Sequence, residues 1–201
     1  MAWRKQQSQD RFFQQAKKEG YRARSAYKLL EINDKFHLIR PGDKILDLGA
    51  APGSWSQVAA KLGKAPKIVA VDIQPIEPLP GVQTIQGDIT KEETIAKIAD
   101  ALPEGADLVL SDIARAASGI RFADHARSIQ LAQAALEIAR RFLKPNGAFV
   151  VKVFQGEDLR DFVEETKRWF ETVKVFRPQA SRQESDEHFV VCQRPRKETS
   201  K

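Results

Sequence analysis

The fold is decided by one stretch in the first third of the chain, Lys44-Ile45-Leu46-Asp47-Leu48-Gly49-Ala50-Ala51-Pro52-Gly53-Ser54-Trp55-Ser56-Gln57. An apolar run ends near an acidic residue, a Gly/Ala/Pro turn follows, and then come polar residues that can open a helix. This order is typical of the first strand, loop and helix of a nucleotide-binding α/β fold. Gly49 and Gly53 carry no Cβ, so the backbone of the loop can approach a ligand closely.

The spacing of the two glycines indicates which ligand the loop suits. It is Gly-x-x-x-Gly, not the Gly-x-Gly-x-x-Gly of dinucleotide-binding folds, and no Lys-Ser/Thr pair follows as in a P-loop. A loop without phosphate-binding chemistry, flanked by Asp47 and Trp55, suits an adenosine ligand that lacks phosphates. S-adenosylmethionine is the common ligand of this kind. The alternative is an ordinary strand-turn-helix of any α/β protein, and the residues downstream favour the ligand site over it.

Apolar, strand-like runs alternate with helical patterns along the rest of the chain. The predicted strands are 44–48, 67–71, 82–86, 108–111, 148–154, 173–176 and 188–193, and the predicted helices are 54–62, 90–101, 123–143 and 159–170, after an early helical pattern over 25–33. The alternation predicts a doubly wound α/β domain with a mostly parallel sheet covered on both faces. The last two strands are joined by a loop without a helix, so they should run antiparallel.

Acidic residues stand at the ends of several predicted strands. Asp47 ends the first strand, Asp72 follows the second, Asp88 follows the third and Asp112 follows the fourth. In open α/β sheets ligands bind at the carboxyl ends of the strands, where an acid after the second strand normally holds a ribose diol. We expect Asp72 to do this and Asp88 to accept a hydrogen bond from an adenine amino group. Any one of these acids alone could equally be a helix cap or a turn residue.

A lysine interrupts the apolar strand Ala148-Phe149-Val150-Val151-Lys152-Val153-Phe154. Burial penalises a charged group, so Lys152 must be paired or deprotonated if it lies inside the sheet. The equally open alternative is a strand-end lysine whose ammonium reaches solvent.

The roles of two further charged residues stay ambiguous. Lys28, at the edge of the apolar face of the early helix, could be a surface residue, and Glu187, before the last strand, could be a loop acid.

Composition limits the class of protein. The chain has 201 residues, 42% hydrophobic and 30% charged, which fits a single domain with a buried core. The net charge of +6 favours an anionic partner such as nucleic acid. The sole cysteine, Cys192, lies in an apolar run and excludes a disulfide within the chain or a cysteine-cluster zinc site. The histidines are too scattered to predict a metal site. Without a signal peptide or a bilayer-spanning apolar run, we expect a cytoplasmic protein that has no membrane association.

Four segments resemble the FtsJ-type (RrmJ-type) ribose 2′-O-methyltransferase family. They are Arg22-Ala23-Arg24-Ser25-Ala26-Tyr27-Lys28-Leu29, the Asp47–Gln57 stretch with its Gly-Ala-Ala-Pro-Gly centre, Val109-Leu110-Ser111-Asp112, and Val150-Val151-Lys152-Val153-Phe154-Gln155-Gly156. The resemblance runs from about residue 11 to the end. It implies a Rossmann-like class I S-adenosylmethionine-dependent methyltransferase fold, with a seven-stranded, mostly parallel sheet, an antiparallel last strand and helices on both faces.

The resemblance also implies a set of site residues. A Lys-Asp-Lys-Glu tetrad falls on Lys28, Asp112, Lys152 and Glu187, and the S-adenosylmethionine contacts fall on Gly53, Trp55, Asp72, Asp88 and Asp112. The implied reaction is 2′-O-methylation of a ribose, with a uridine of large-subunit ribosomal RNA as the nearest precedent, by a monomer that needs no metal. Arg115-Ala116 stand where the family usually has Pro-Asn, in a loop that faces the substrate, and Arg115 could supply a phosphate contact there.

We hypothesise that Lys152 is the general base that takes the proton of the ribose 2′-hydroxyl, with Asp112 orienting it. RNA would be bound by the basic N-terminal segment together with Arg22, Arg24 and Lys28, which would contact phosphates without reading sequence. On this interpretation residues 1–20 are a basic extension that is partly mobile or ordered by a partner, 21–195 form the methyltransferase domain, and 196–201 form a basic tail.

Three alternatives compete with this interpretation. One is a tRNA ribose 2′-O-methyltransferase of the same superfamily. Another is a non-catalytic RNA-binding or ribosome-assembly protein, which the complete tetrad disfavours because a binding module has no need of a lysine inside a buried strand. The third is a nicotinamide dehydrogenase, which the missing Gly-x-Gly-x-x-Gly disfavours.

Overall fold

The structure is a computed structural model that describes residues 10–64, 66–114, 121–182 and 185–196. Helices and strands alternate through these residues. In chain order they are α1 (Arg11–Glu19), α2 (Ala26–Phe36), β1 (Lys44–Leu48), α3 (Ser54–Leu62), β2 (Lys67–Asp72), β3 (Val82–Gln86), α4 (Glu92–Ala101), β4 (Ala106–Ser111), α5 (Arg121–Phe142), β5 (Leu143–Phe154), α6 (Leu159–Trp169), β6 (Phe170–Phe176) and β7 (Glu187–Pro195).

The strands form one sheet in the order β3-β2-β1-β4-β5-β7-β6. The pairs β3–β2, β2–β1, β1–β4 and β4–β5 are parallel, whereas β7 runs antiparallel to both β5 and β6. This confirms the predicted α/β class, the mostly parallel sheet and the antiparallel last strand. The strand order reverses between β1 and β4, which is where ligands bind in sheets of this kind.

Successive residues of β1 pack into different layers, because side chains alternate across a strand. Leu46 and Leu48 join an apolar cluster built largely from α4, α5 and α6, whereas Ile45 joins a second cluster with Leu29 of α2 and Trp55 of α3. The helices therefore cover both faces of the sheet, as expected. A strand buried on both sides explains why β1, β2 and β5 read as nearly continuous apolar runs.

Two element boundaries differ from the prediction. Helix α5 runs directly into β5 at Leu143, and α6 runs directly into β6 at Phe170, where loops were expected. Leu143 already pairs with Ala106 of β4, with a register shift before the regular ladder begins. Phe170 is buried and pairs with Pro195 of β7. The polar stretch Lys144-Pro145-Asn146-Gly147, between the predicted helix 123–143 and the predicted strand 148–154, therefore lies inside the irregular start of β5 and does not form a separate loop.

Helix α1 lies in segment 1–20, which the sequence analysis treats as a basic extension that is partly mobile or ordered by a partner. Asp10 caps the helix by accepting a hydrogen bond from the Phe13 N–H, 3.2 Å from donor to acceptor. Gly20 ends it in the left-handed conformation. Ala16 is buried, and the ring of Phe12 lies 5.5 Å from that of Tyr27. The chain from residue 10 onward is thus packed on α2, while residues 1–9 lie outside the described part.

Several features predicted from composition can be compared with the described residues. Cys192 is buried in β7, as predicted. Among the helices of the described part, none has the length and apolarity that crossing a membrane would require. The described His, Cys, Asp and Glu residues form no group of three or more that could hold a metal ion.

The carboxyl of Asp47 is buried in the sheet, with 1% of the residue exposed. Oδ2 accepts a hydrogen bond from Ser56 Oγ at 2.7 Å, and Oδ1 has no hydrogen-bond partner among the described residues. Burial raises the pKa of this carboxyl from 3.8 to about 7, and the carboxylates of Asp112 and Asp72 act in the same direction. The folded protein therefore holds a proton that the unfolded chain releases between about pH 4 and pH 7.

This proton makes the contribution of Asp47 to stability pH-dependent, with a definite sign. Because the pKa is higher in the folded state, the contribution is greatest below pH 4 and is lost as the pH rises through about 7. Asp47→Asn cannot ionise, so its stability relative to wild type should rise by at most about 3 kcal/mol between pH 5 and pH 8. Urea unfolding at the two pH values measures the difference. A constant offset between the two proteins would contradict the prediction.

Candidate active site at the carboxyl edge of the sheet

The carboxyl ends of the parallel strands β1, β2, β4 and β5 meet at one edge of the sheet. That edge carries Asp72 at the end of β2, Asp112 directly after β4, and Lys152 near the end of β5. The strand pairing therefore brings together side chains that are up to 80 residues apart in the chain. The predicted ligand site and the predicted reactive residues share this edge.

A close backbone contact fixes the loop after β1 against the loop after β4. Gly49 has a φ of 70°, and a Cβ at this position would lie 2.4 Å from Ile113 Cγ1 and 2.8 Å from Ile113 Cα. Only glycine allows both the left-handed conformation and this approach. The glycine loop thus lies beside Asp112, the residue that precedes Ile113.

Lys152 is paired inside the protein. Its Nζ donates hydrogen bonds to Asp112 Oδ1 and to the Asp112 carbonyl oxygen, both at 2.9 Å, and the residue is only 7% exposed. Ser111 pairs with Val151 in the parallel ladder, so the next residue on each strand comes side by side. Of the two alternatives left open by the sequence, the structure favours the paired lysine over one that reaches solvent.

Lys28 and Glu187 form a second ion pair, with Nζ 2.6 Å from Oε1. Glu187 is the first residue of β7 and is buried, so it is not a loop acid. Lys28 projects from α2, and its Nζ lies 5.9 Å from the centre of the Phe189 ring. Neither residue is a solvated surface charge.

The register of β5 and β7 places the two ion pairs on one face of the sheet. Lys152 pairs with Phe189, and Phe154 pairs with Glu187. Paired residues of neighbouring strands project to the same side, and residues two apart on a strand share a side. Lys152 and Glu187 are therefore diagonal neighbours, a relation in which long side chains can reach one another. The structure brings the four tetrad positions to a single region.

Asp72 and Asp88, which were predicted to bind the ribose and the adenine, accept hydrogen bonds from the loops in which they lie. Asp72 accepts hydrogen bonds from the backbone N–H of Ala51 on Oδ2 and of Gln74 on Oδ1, at 2.9 and 2.8 Å. Asp88 Oδ1 accepts from both the N–H and the hydroxyl of Thr90. Asp72 thus ties the loop after β2 to the glycine loop.

The ring of Trp55 is packed inside the protein and is not open to a ligand. The side chain is 2% exposed, its indole Nε1 donates to the Ser25 carbonyl at 2.9 Å, and its ring lies 5.6 Å from that of Phe189. Trp55 is the second residue of α3, where backbone N–H groups have no partner within the helix. Gly53 caps this helix with a φ of 107°.

Arg22 and Arg24 do not have the surroundings expected of phosphate contacts. The Arg22 guanidinium donates to the carbonyls of Pro52, Glu77 and Pro78, and Arg24 donates to the carbonyl of Ala180. Arg24 also forms an ion pair with Asp10. The guanidinium groups that were predicted to contact RNA phosphates are therefore already engaged in hydrogen bonds within the protein. These contacts could not be predicted from the sequence, because every residue has a backbone carbonyl and a carbonyl acceptor therefore gives no recognisable residue pattern.

Gln57 is a structural residue that the sequence analysis did not single out. Its Oε1 accepts the Arg22 N–H at 2.8 Å, and its Nε2 donates to the Gly20 carbonyl at 3.0 Å. Gln57 lies in the first turn of α3, at the end of the glycine-loop stretch. This position was the only feature of the sequence that could have indicated its structural role. Through these bonds the segment before α2 is tied to the helix that follows the glycine loop.

Two cavities differ in their relation to this edge. A cavity of about 500 Å³ lies at the opposite edge of the sheet, where Asp43, Asp107 and Lys144 are among its lining residues. A much smaller cleft opens beside Lys152 and is lined in part by Asp124 and Arg127. The candidate residues at the carboxyl edge therefore lie beside the smaller of these two cavities. Arg115-Ala116, expected beside the substrate, lie outside the described residues.

Comparison with known proteins shows which family the chain is similar to. The FtsJ-like methyltransferase family matches residues 21–195. A protein of Methanothrix thermoacetophila named ribosomal RNA large subunit methyltransferase E is 58% identical over 182 residues, which are 90% of this chain and 71% of that protein. Proteins of the same name from Archaeoglobus fulgidus and Thiobacillus denitrificans are 53% and 44% identical, over 94% and 96% of this chain and 97% and 89% of theirs.

The fold also has a close counterpart among solved structures. The crystal structure of a Plasmodium falciparum protein assigned as a ribosomal RNA methyltransferase superposes with a TM-score of 0.80 at 29% identity. The match covers 87% of this chain and 98% of that one. Since the family match spans most of the chain and several relatives are similar over nearly all of it, this protein belongs to the FtsJ-like methyltransferase family.

Proposed function

We propose that the protein transfers a methyl group from S-adenosylmethionine to the 2′-hydroxyl of a ribose, a uridine ribose as the nearest precedent suggests, in RNA of the large ribosomal subunit. The observation that carries the proposal is the buried Lys152–Asp112 pair beside the Lys28–Glu187 pair, next to the glycine loop. A fold that only bound RNA would have no use for two ion pairs that are largely withdrawn from solvent at this edge, because burying charges is costly.

The residues around the glycine loop fit an adenosine cofactor with a positive charge. One buried oxygen of Asp47, in β1 just before the glycine loop, lacks a partner among the described residues and could accept a hydrogen bond from a ligand. Asp72, Asp88 and the Gly53–Trp55 backbone would hold the adenosine, while the carboxylate of Asp112 would face the sulfonium. When bound, S-adenosylmethionine supplies a methyl group that is already activated for transfer, so the protein chiefly has to position the acceptor.

Lys152 is the proposed base. It would take the proton of the ribose 2′-hydroxyl through Nζ, the atom that the Asp112 carboxylate and carbonyl now hold in place. Asp112 is a positioning group for this lysine, since it fixes the direction of the amine. The reaction requires that the amine reach the hydroxyl in its neutral form, because an ammonium has no lone pair to accept a proton.

Lys28 and Glu187 are proposed to hold the acceptor ribose beside Lys152. Glu187 is joined to the reactive strand by the β5–β7 ladder, whereas Lys28 comes from α2 on another element. Their pair therefore ties α2 to the sheet at the point where the ribose would enter. Either side chain could exchange its partner for a ribose hydroxyl when RNA binds.

The proposed substrate rests on the relatives and on charge. Relatives at 44–58% identity are named ribosomal RNA large subunit methyltransferases, and the net charge of +6 suits a polyanion. Exposed basic residues of α1, Arg11, Lys17 and Lys18, are available for phosphates. A single-stranded or looped target is expected, because a duplex hides base edges from side chains. We expect the protein to act as a monomer in the cytoplasm.

Replacing Lys152 by methionine should lower methyl transfer by about 100-fold or more, because a positioned base contributes this much. The assay is transfer of labelled methyl from S-adenosylmethionine to large subunits, free ribosomal RNA and tRNA, with the labelled nucleoside identified after digestion. Binding of the cofactor, measured by calorimetry, should stay near that of wild type. Lys167→Met, on the exposed face of α6, is the matched control and should leave transfer unchanged.

Each part of the proposal can fail separately in this experiment. Near-normal transfer by Lys152→Met would remove the assignment of the base. Label found only in tRNA would replace the substrate, and label on a base would replace the ribose as acceptor. Cofactor binding without transfer to any RNA would favour the non-catalytic alternative.

The Lys28–Glu187 pair should show a strong energetic coupling. Lys28→Met or Glu187→Gln alone leaves one buried charge without its partner, and each should cost about 3 kcal/mol of unfolding free energy. The double variant should cost clearly less than the sum, because no buried charge remains unpaired. Urea unfolding of the four proteins measures the coupling. Strictly additive losses would show that the two side chains do not interact in solution.

A further inference from the structure

Arg22 joins two loops at the cofactor edge. Its Nη1 donates hydrogen bonds to the Pro52 carbonyl at 2.9 Å and to the Glu77 carbonyl at 2.7 Å, and its Nη2 donates to the Pro78 carbonyl at 2.9 Å. Pro52 lies in the glycine loop after β1, whereas Glu77 and Pro78 lie in the loop after β2. One side chain therefore ties together the two loops that border the proposed adenosine site.

The position of Arg22 is itself fixed by the backbone around it. Its N–H donates to Gln57 Oε1, and Gln57 Nε2 donates in turn to the Gly20 carbonyl. These bonds anchor the segment to α3, the helix that opens at the glycine loop. The backbone of Arg22 is thus held against α3, and the three hydrogen bonds of its guanidinium connect α3 to the two loops.

Gly53, a proposed cofactor contact, touches this clamp directly. A Cβ at Gly53 would lie 2.9 Å from Arg22 Nη1 and 2.8 Å from Leu79 Cδ1. The absence of a Cβ lets the Arg22 side chain and the loop after β2 close on the glycine loop. If Arg22 moved, the glycine loop at Gly53 would lose this contact.

The geometry needs the shape of arginine and not only its charge. A guanidinium is a planar group with five N–H donors in a fixed fork, so it can serve three carbonyls at once. A lysine ammonium is a compact point charge on a flexible stem and cannot hold the same fork. A contact with an RNA phosphate, by contrast, depends mainly on positive charge.

We propose that Arg22 is a positioning residue for the cofactor: it holds the loops after β1 and β2 in the arrangement that receives the adenosine. This inference rests on the proposed function for the identity of the ligand. It assigns Arg22 to the cofactor side of the reaction, in place of the RNA contact that the sequence suggested.

The test compares Arg22→Lys, which keeps the charge, with Arg22→Met, which removes it. Both variants should bind S-adenosylhomocysteine about ten- to a hundredfold more weakly than wild type in calorimetry without RNA. Affinity for ribosomal RNA, measured without cofactor, should stay within about twofold for Arg22→Lys. In the transfer assay the KM for S-adenosylmethionine should rise more than the KM for RNA. Arg160→Lys, an exposed arginine on α6, is the control and should match wild type.

Hydrogen exchange gives a second readout that needs no ligand. The N–H groups of Ala51 and Gly53 donate to Asp72 Oδ2 and the Ala50 carbonyl, so they should exchange slowly while the clamp is closed. In Arg22→Lys, peptides covering 47–57 and 72–80 should exchange faster, and peptides from β4 and β5 should not change.

Two outcomes would overturn the inference. One is wild-type cofactor affinity with wild-type exchange in both loops of both variants. The other is loss of RNA affinity in Arg22→Met with cofactor affinity unchanged, which would restore the phosphate contact. If the wild-type protein itself failed to bind S-adenosylhomocysteine, the proposed function would be wrong. The hydrogen-exchange experiment would still test whether Arg22 holds the two loops together: faster exchange in the variants would support this role, and unchanged exchange would contradict it.

Discussion

A positive charge enclosed in a parallel sheet is the constraint on which the rest of the site depends. Lys152 lies in the apolar second half of β5, residues 148–154, and only 7% of the residue is exposed. An isolated buried ammonium is too costly to persist, so the neighbouring strand has to supply an acceptor. Asp112 does so only because Ser111 and Val151 are in register. A slip by one residue would move the lysine to the other face of the sheet.

The same register determines what surrounds the pair. The residue after Asp112 is Ile113, whose backbone lies so close to Gly49 that no Cβ fits between them. The glycine loop is therefore held at the end of β4 by steric contact, and the Lys152–Asp112 pair is held there by charge. The loop after β4 is thus joined to the glycine loop by a steric contact and to β5 by an ion pair.

Much of the fold was predictable because parallel strands that are buried on both faces consist of continuous apolar runs, which can be recognised in the sequence. Strands β1 and β3 had the predicted bounds, and the antiparallel direction of β7 followed from the absence of a helix after β6. Helix α1 was not predictable from its charge pattern, because two phenylalanines and a buried alanine do not outweigh a largely polar stretch. What stabilises it is packing on α2, which is tertiary information.

The candidate site divides in a similar way. Residue types at strand ends indicated where Asp72, Asp112 and Lys152 would meet, since parallel strands share a carboxyl edge. The sequence left open whether Lys152 is paired, and it could not indicate that Arg22 and Arg24 bind carbonyls. Partners of this kind depend on where loops cross in space, and carbonyl groups are the same in every residue. Distances and partners therefore had to come from the structure.

The position of β7 has a consequence for how the site comes into being. This strand lies between β5 and β6, which precede it in the chain, and it brings Glu187 to Lys28 from the other end of the sequence. During synthesis from the N-terminus, β6 has no neighbour to pair with until residues 187–195 have emerged. A nascent chain that ends before Glu187 lacks one partner of the Lys28–Glu187 ion pair. The order of the strands thus delays completion of the tetrad until nearly the whole domain has been made.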